Sequence, residues 1–222
     1  MPSRSAAHGR VLAAAMLLAA VTMTFAATLP DTGWRAYQKR DYAAARADFE
    51  QRARDGDRVA QFNLAMMLMR GEAGAVDIAG GLPWLQRAAD AGLAQAQYNL
   101  GLMYESGVGV PRSLTSATLW WSKAAEQGHA DAQVQLATQY FLGRGAAKDW
   151  TLAAKWYEAA AESGDPGAQY IIGSFYEHGD GVTRDLNKAL AWYVLAARQG
   201  DVGAAAQAKD VARRLSSTPS TP

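Results

Sequence analysis

The residues from which this 222-residue chain could build a reactive centre are few: three histidines, scattered serines and carboxylates, and no cysteine. Without Cys there is neither a disulfide staple nor a thiolate zinc site. His129 and His178 share no ligand spacing, and no H-E-x-x-H occurs. His129, beside Gly128, is expected to be a solvated turn residue. His178 reads as a cation at a helix C-terminus, where the backbone dipole favours positive charge. No serine has a lysine three residues on, and no G-x-S-x-G stands, so two common nucleophile patterns are missing. Glu105 and Glu177 lie 72 residues apart, too distant to flank one glycosidic bond. Gly107-Val108-Gly109 and Gly179-Asp180-Gly181 are bare G-x-G turns that follow a helix rather than a strand, with no GK[ST] after them. No catalytic group, cofactor or metal is expected.

Composition narrows the partners. Twenty-two Lys+Arg against 21 Asp+Glu leave a formal net charge of +1, and 50% of the residues are hydrophobic. A charge-driven nucleic-acid binder needs a marked basic excess, and a disordered chain lacks this much apolar material. At the N-terminus, Arg4 and Arg10 precede an apolar run from Val11 to Val21, and Thr24-Phe25-Ala26 offers small residues at a cleavage site. Residues 1–26 therefore read as a secretory signal peptide, followed by a linker over 27–33. Its removal leaves a near-neutral periplasmic or secreted protein without stable membrane insertion. The alternative is an N-terminal helix that stays uncleaved and tethers the chain to a membrane.

The mature chain has a period of 36 residues. Ala60-Gln61, Ala96-Gln97, Ala132-Gln133 and Ala168-Gln169 keep it without a gap, as do Gly71, Gly107, Gly143 and Gly179, and Trp84, Trp120, Trp156 and Trp192. Four copies fill 60–203 (60–95, 96–131, 132–167 and 168–203). Within a copy, Ala96, Leu100, Met103 and Tyr104 have helical spacing, and Gly107 ends that helix. A second helix starts at Asp77, Ser113, Asp149 or Asp185, all good N-caps. In the first copy Gly80-Gly81 and Pro83 predict a helix that begins late or kinks. A shorter helix pair is predicted over 34–59, a capping helix over 204–215, and a disordered tail over 216–222. Arg213 and Arg214 are expected to face away from the core. The fold class is all-α, built of antiparallel helix pairs that bury one another's rings by stacking.

The strings AQYNLGLMYESGVGV (96–110), TSATLWWSKAAEQG (115–128) and AQYIIGSFYEHGDGVTRDLNKALAWYVLAARQG (168–200) resemble Sel1-like repeats, relatives of the tetratricopeptide repeat. The resemblance implies a right-handed α-solenoid and a role in assembling protein complexes, often in bacterial envelopes. It implies that the first helices line a concave face. The expected protein-binding residues there are Phe62, Met66, Met69, Tyr98, Leu102, Glu105, Val134, Phe141, Tyr170 and Glu177, with Met66, Met69 and Phe141 the most accessible. The function so read is that of a monomeric, non-enzymatic scaffold that holds a protein or peptide segment. The rival is a cell-wall hydrolase or β-lactam-binding protein, a chemistry linked to cysteine-rich relatives.

Overall fold

The computed structural model describes residues 32–217. The expected signal peptide, the linker up to residue 31 and the tail from residue 218 lie outside the described residues. These form eleven helices and no strand: α1 (Thr32–Gln38), α2 (Tyr42–Arg54), α3 (Arg58–Arg70), α4 (Ile78–Asp90), α5 (Ala94–Ser106), α6 (Leu114–Glu126), α7 (Ala130–Leu142), α8 (Trp150–Glu162), α9 (Pro166–His178), α10 (Leu186–Arg198) and α11 (Val202–Ser217). The last runs two residues past its predicted end.

The equal lengths come from repeated stop signals. The first helix of each copy ends on Gly71, Gly107, Gly143 or Gly179, all left-handed. The second helix starts where a side chain takes up an orphan amide. Asp77 accepts from Gly80 at 2.7 Å, Asp149 from Leu152 at 2.9 Å, and Asp185 from Asn187 at 2.9 Å. The amides of these caps and of Ser113 in turn donate to Leu68, Tyr140, Tyr176 and Tyr104, near the end of the preceding helix. In the first, third and fourth copies the second helix therefore starts beside the end of the first and packs back against it.

Copies are joined by two devices. Gln61, Gln97, Gln133 and Gln169 are buried, and each donates its side-chain amide to a carbonyl eight residues back: Ala53, Ala89, Ala125 and Ala161, at 3.1 to 3.3 Å. The second joint is the back glycine of each G-x-G turn. A Cβ on Gly109 would stand 2.7 Å from Ile78, one on Gly145 2.7 Å from the Thr118 hydroxyl, and one on Gly181 inside the Trp150 carbonyl. Those turns hold positive φ and abut the start of the previous copy's second helix, so they are packing surfaces rather than phosphate cradles.

The chain divides into two compact units, one up to Ser113 and one from Leu114. In each, helices pack on their neighbours along the chain, from α1 to α5 and from α6 to α11. The first unit has Phe49, Leu64 and Met67 at its core, with Trp34, Tyr37 and Trp84 packed on them. The second buries Tyr157, Ile172, Phe175, Tyr193 and Val211, with Trp156 and Trp192 against them.

Two expectations need correction. The helix carrying Pro83 does not begin late: α4 starts at Ile78, directly after its cap Asp77, and has the same 13 residues as its counterparts. Pro83, the sixth residue of the helix, lacks the amide that would bond the Ala79 carbonyl, and the helix continues through it to Asp90. His129 is not a solvated turn residue. It is half-buried at the N-cap of α7, where its Nδ1 accepts from the amide of Ala132 at 3.3 Å.

Candidate protein-binding face

In the first unit, α3 and α5 carry the predicted face. Phe62 is half-exposed, but Met66 and Met69 are only 5% and 4% exposed, which corrects the expectation that they are accessible. Both causes are local. Met69 lies against Gly81 of α4, where a Cβ would come within 2.8 Å of its Cγ, so the glycine makes room for the thioether chain. Met66 is covered from the other side by α1. Trp34 stacks on Tyr37 with ring centroids 5.2 Å apart, and both line a cavity of about 30 Å³ with Phe62 and Met66. The Tyr37 hydroxyl donates to Glu72 at 2.9 Å, fastening α1 over this end. Burial, and then that bond to Glu72, raises the Tyr37 pKa above the usual phenol value. On α5, Tyr98 is buried, whereas Leu102 and Glu105 stay half-exposed.

In the second unit, α7 and α9 carry the face. Val134, Phe141 and Tyr170 are half-exposed. The Phe141 ring meets Trp150 edge-on at 5.0 Å and Phe175 at 5.9 Å, so these rings hold it in place. Beside it, the hydroxyls of Thr138 and Tyr157 share a hydrogen bond of 2.9 Å. Tyr170 lies 5.5 Å from Tyr193.

Glu177 departs most from expectation. It is buried, it accepts from the Tyr193 hydroxyl at 2.8 Å, and it takes a charge-assisted hydrogen bond from Arg214 of α11. Arg214 therefore does not face away. Burial, and then the bond to the Glu177 carboxylate, pushes the Tyr193 pKa far above the usual phenol value. Glu177 is thus a strut under the capping helix rather than a contact residue.

Three tryptophans of the second helices have cations laid over them: Arg87 on Trp84, Lys123 on Trp120 and Lys155 on Trp156, at 4.6, 3.8 and 4.9 Å. Among the described residues no cluster of three or more potential ligands is placed to hold a metal. A groove of about 400 Å³ beside α8 is lined by Thr151, Lys155, Glu158 and Glu162.

Four consecutive matches to the Sel1 repeat cover residues 58–93, 94–129, 130–165 and 166–201, a frame two residues ahead of the one read from the periodicity. The chain belongs to the Sel1 repeat family. A Sel1 repeat protein from Oxalobacter formigenes is similar in structure, with 34% identity and a TM-score of 0.76 over 81% of this chain and 74% of that one. So is c5321, a protective antigen of uropathogenic Escherichia coli with an SLR fold, at 38% identity and a TM-score of 0.67 over 72% of this chain. This chain spans 34% of that antigen's length. No curated protein matches the chain. The fold class is that of Sel1 repeat proteins, which are in general protein-interaction scaffolds. No helix among the described residues is long and apolar enough to cross a membrane.

Proposed function

We propose that this chain is an exported, non-enzymatic scaffold that holds a segment of a partner protein against its first helices, in envelope signalling, secretion or cell-wall assembly. The observation that carries the reading is the register of half-exposed apolar side chains on those helices: Phe62 and Leu102 in one unit, and Val134, Phe141 and Tyr170 in the other. Val134, Phe141 and Tyr170 are packed against the core of the second unit, so a partner would meet a surface already ordered there, which lowers the cost of binding. Glu105 adds a carboxylate to the same face. Export is supported by the basic start, short apolar run and small-residue site at the N-terminus.

The test is site-specific photocrosslinking in the native cell. A photoreactive residue at Leu102 or Val134 is expected to trap one defined polypeptide, and one at the exposed Lys123 on α6 to trap none. Equal yields from all three positions, or no adduct from any, would sink the proposal. Mass spectrometry of the mature N-terminus tests export separately, with cleavage after Ala26 as the expected result.

A further inference from the structure

One joint in this chain is built from a residue that a single proton can disable. The N-cap position of the first helices recurs every 36 residues at 57, 93, 129, 165 and 201. Asp57, Asp165 and Asp201 each accept the amide three residues on, at 3.1, 2.6 and 2.8 Å. Leu93 makes no such bond. At His129 the acceptor is the ring nitrogen Nδ1, which receives the Ala132 amide at 3.3 Å. A carboxylate keeps its lone pairs throughout the mildly acidic range. An imidazole nitrogen accepts only while it is unprotonated, so this contact also fixes the tautomer, with the hydrogen on Nε2.

We propose that His129 makes the start of α7 a proton-sensitive joint, closed at neutral pH and loosened by mild acid, while the joints capped by Asp165 and Asp201 stay closed. The inference concerns this chain's own conformation and is independent of whether its first helices grip a partner.

Two effects of protonation act together. The Ala132 amide loses its acceptor and faces an N–H donor. A positive charge is also placed at a helix N-terminus, where the backbone dipole already presents positive partial charge. Two influences oppose this: Asp131, in the first turn of α7, whose negative charge favours imidazolium, and a hydrogen bond between the ring and the backbone of His129 itself, which favours it too. The ionisable groups on the packed elements at this end are Lys123 and Glu126 on α6 and Glu162 on α8, all exposed. Burial outweighs both, so the histidine pKa lies below its ordinary value. The sign follows. The unfolded chain takes up the proton first, near pH ~6.5, so stability from this joint is complete above that pH and is lost as pH falls toward the lower folded value.

The joint lies where it has consequences for packing. The His129 amide donates to the Ala124 carbonyl at the end of α6, and Gln133, one turn into α7, donates to Ala125. Fraying the first turn of α7 therefore loosens its hold on α6.

The test is amide hydrogen exchange by NMR on the full chain, with intrinsic rates divided out. Between about pH 7.5 and about pH 5, protection at Ala132 is expected to fall roughly fivefold, the factor for losing an average N-cap. Protection at Ala168 and Ala204 is expected to hold steady, as an internal control. His129→Asp, which installs the residue used at three sister joints, is expected to abolish the pH dependence at Ala132. Nitrogen-15 shifts of the ring are expected to show the Nε2–H tautomer at neutral pH, a reading that needs no variant to fold. Flat protection at Ala132 in the native chain, an equal fall at Ala168, persistence of the slope in His129→Asp, or a hydrogen on Nδ1 at neutral pH would each overturn the inference.

Discussion

Arg214, on the last helix, donates to the buried carboxylate of Glu177, 37 residues earlier on α9, and the same carboxylate accepts from Tyr193 at 2.8 Å. A buried charge held by two donors is stable as a set and costly when one partner is removed, because the remaining charge stays desolvated. Arg214→Met is therefore expected to lower the melting temperature and to speed hydrogen exchange in α11 before the rest of the chain. Adding Glu177→Gln is expected to restore part of the loss, since a neutral amide still accepts from Tyr193. A double variant as unstable as the sum of the singles would mean that the pair is not coupled.

Gln97 holds the Ala89 carbonyl at 3.1 Å, and that carbonyl also accepts the amide of Gly92. Because one bond to the carbonyl survives, Gln97→Met is expected to cost about 1 kcal/mol. Urea denaturation measures it as a lower midpoint at unchanged slope. No change in midpoint would show that the repeated glutamine contributes nothing at this joint.

Gly128 and Gly145 both hold positive φ, at 83° and 76°, but their surroundings differ. A Cβ on Gly128 meets nothing within 4 Å, while one on Gly145 would collide with the Leu114 carbonyl and the Thr118 hydroxyl. Gly128→Ala is expected to cost about 1 kcal/mol, the left-handed penalty alone. Gly145→Ala should cost more than about 2 kcal/mol, since backbone must also shift. Comparable melting temperatures for the two would remove the packing role given to the G-x-G turns.

Met66 and Leu102 occupy the same row of the repeat but differ in burial, the first at 5% and the second half-exposed. Met66→Glu buries an unpaired carboxylate and is expected to unfold the first unit, a loss of about 4 kcal/mol or more. Leu102→Glu is expected to leave the circular dichroism melt within about 1 kcal/mol of the native protein. A folded Met66→Glu protein would return that methionine to the accessible face.

The order of helices, their caps and their stops could be read from the sequence because each depends on residues within a few positions and is repeated four times. Asp77, Asp149 and Asp185 act locally on the next turn, so their role needs no tertiary knowledge. Much of the face was less legible. The burial of Met66 depends on Trp34 and Tyr37 from a helix outside the period, and that of Met69 on Gly81, a substitution peculiar to the first copy. Glu177 reads as a surface carboxylate until Arg214 is placed over it. Its row gives no signal, because Met69, Glu105, Phe141 and Glu177 alternate there and Glu105 stays half-exposed. His129 occupies the position taken by Asp57, Asp165 and Asp201, and that alignment alone marks it as a cap.

Each joint draws its two halves from recurring parts: in every copy a glutamine and a carbonyl eight residues behind it, and in the last three copies a turn glycine and the helix start it abuts. A 36-residue block removed in frame, or inserted twice, brings matching halves to the new boundary. Chain length is then adjustable by gene duplication and loss without inventing an interface, and relatives of very different size can share the same local rules.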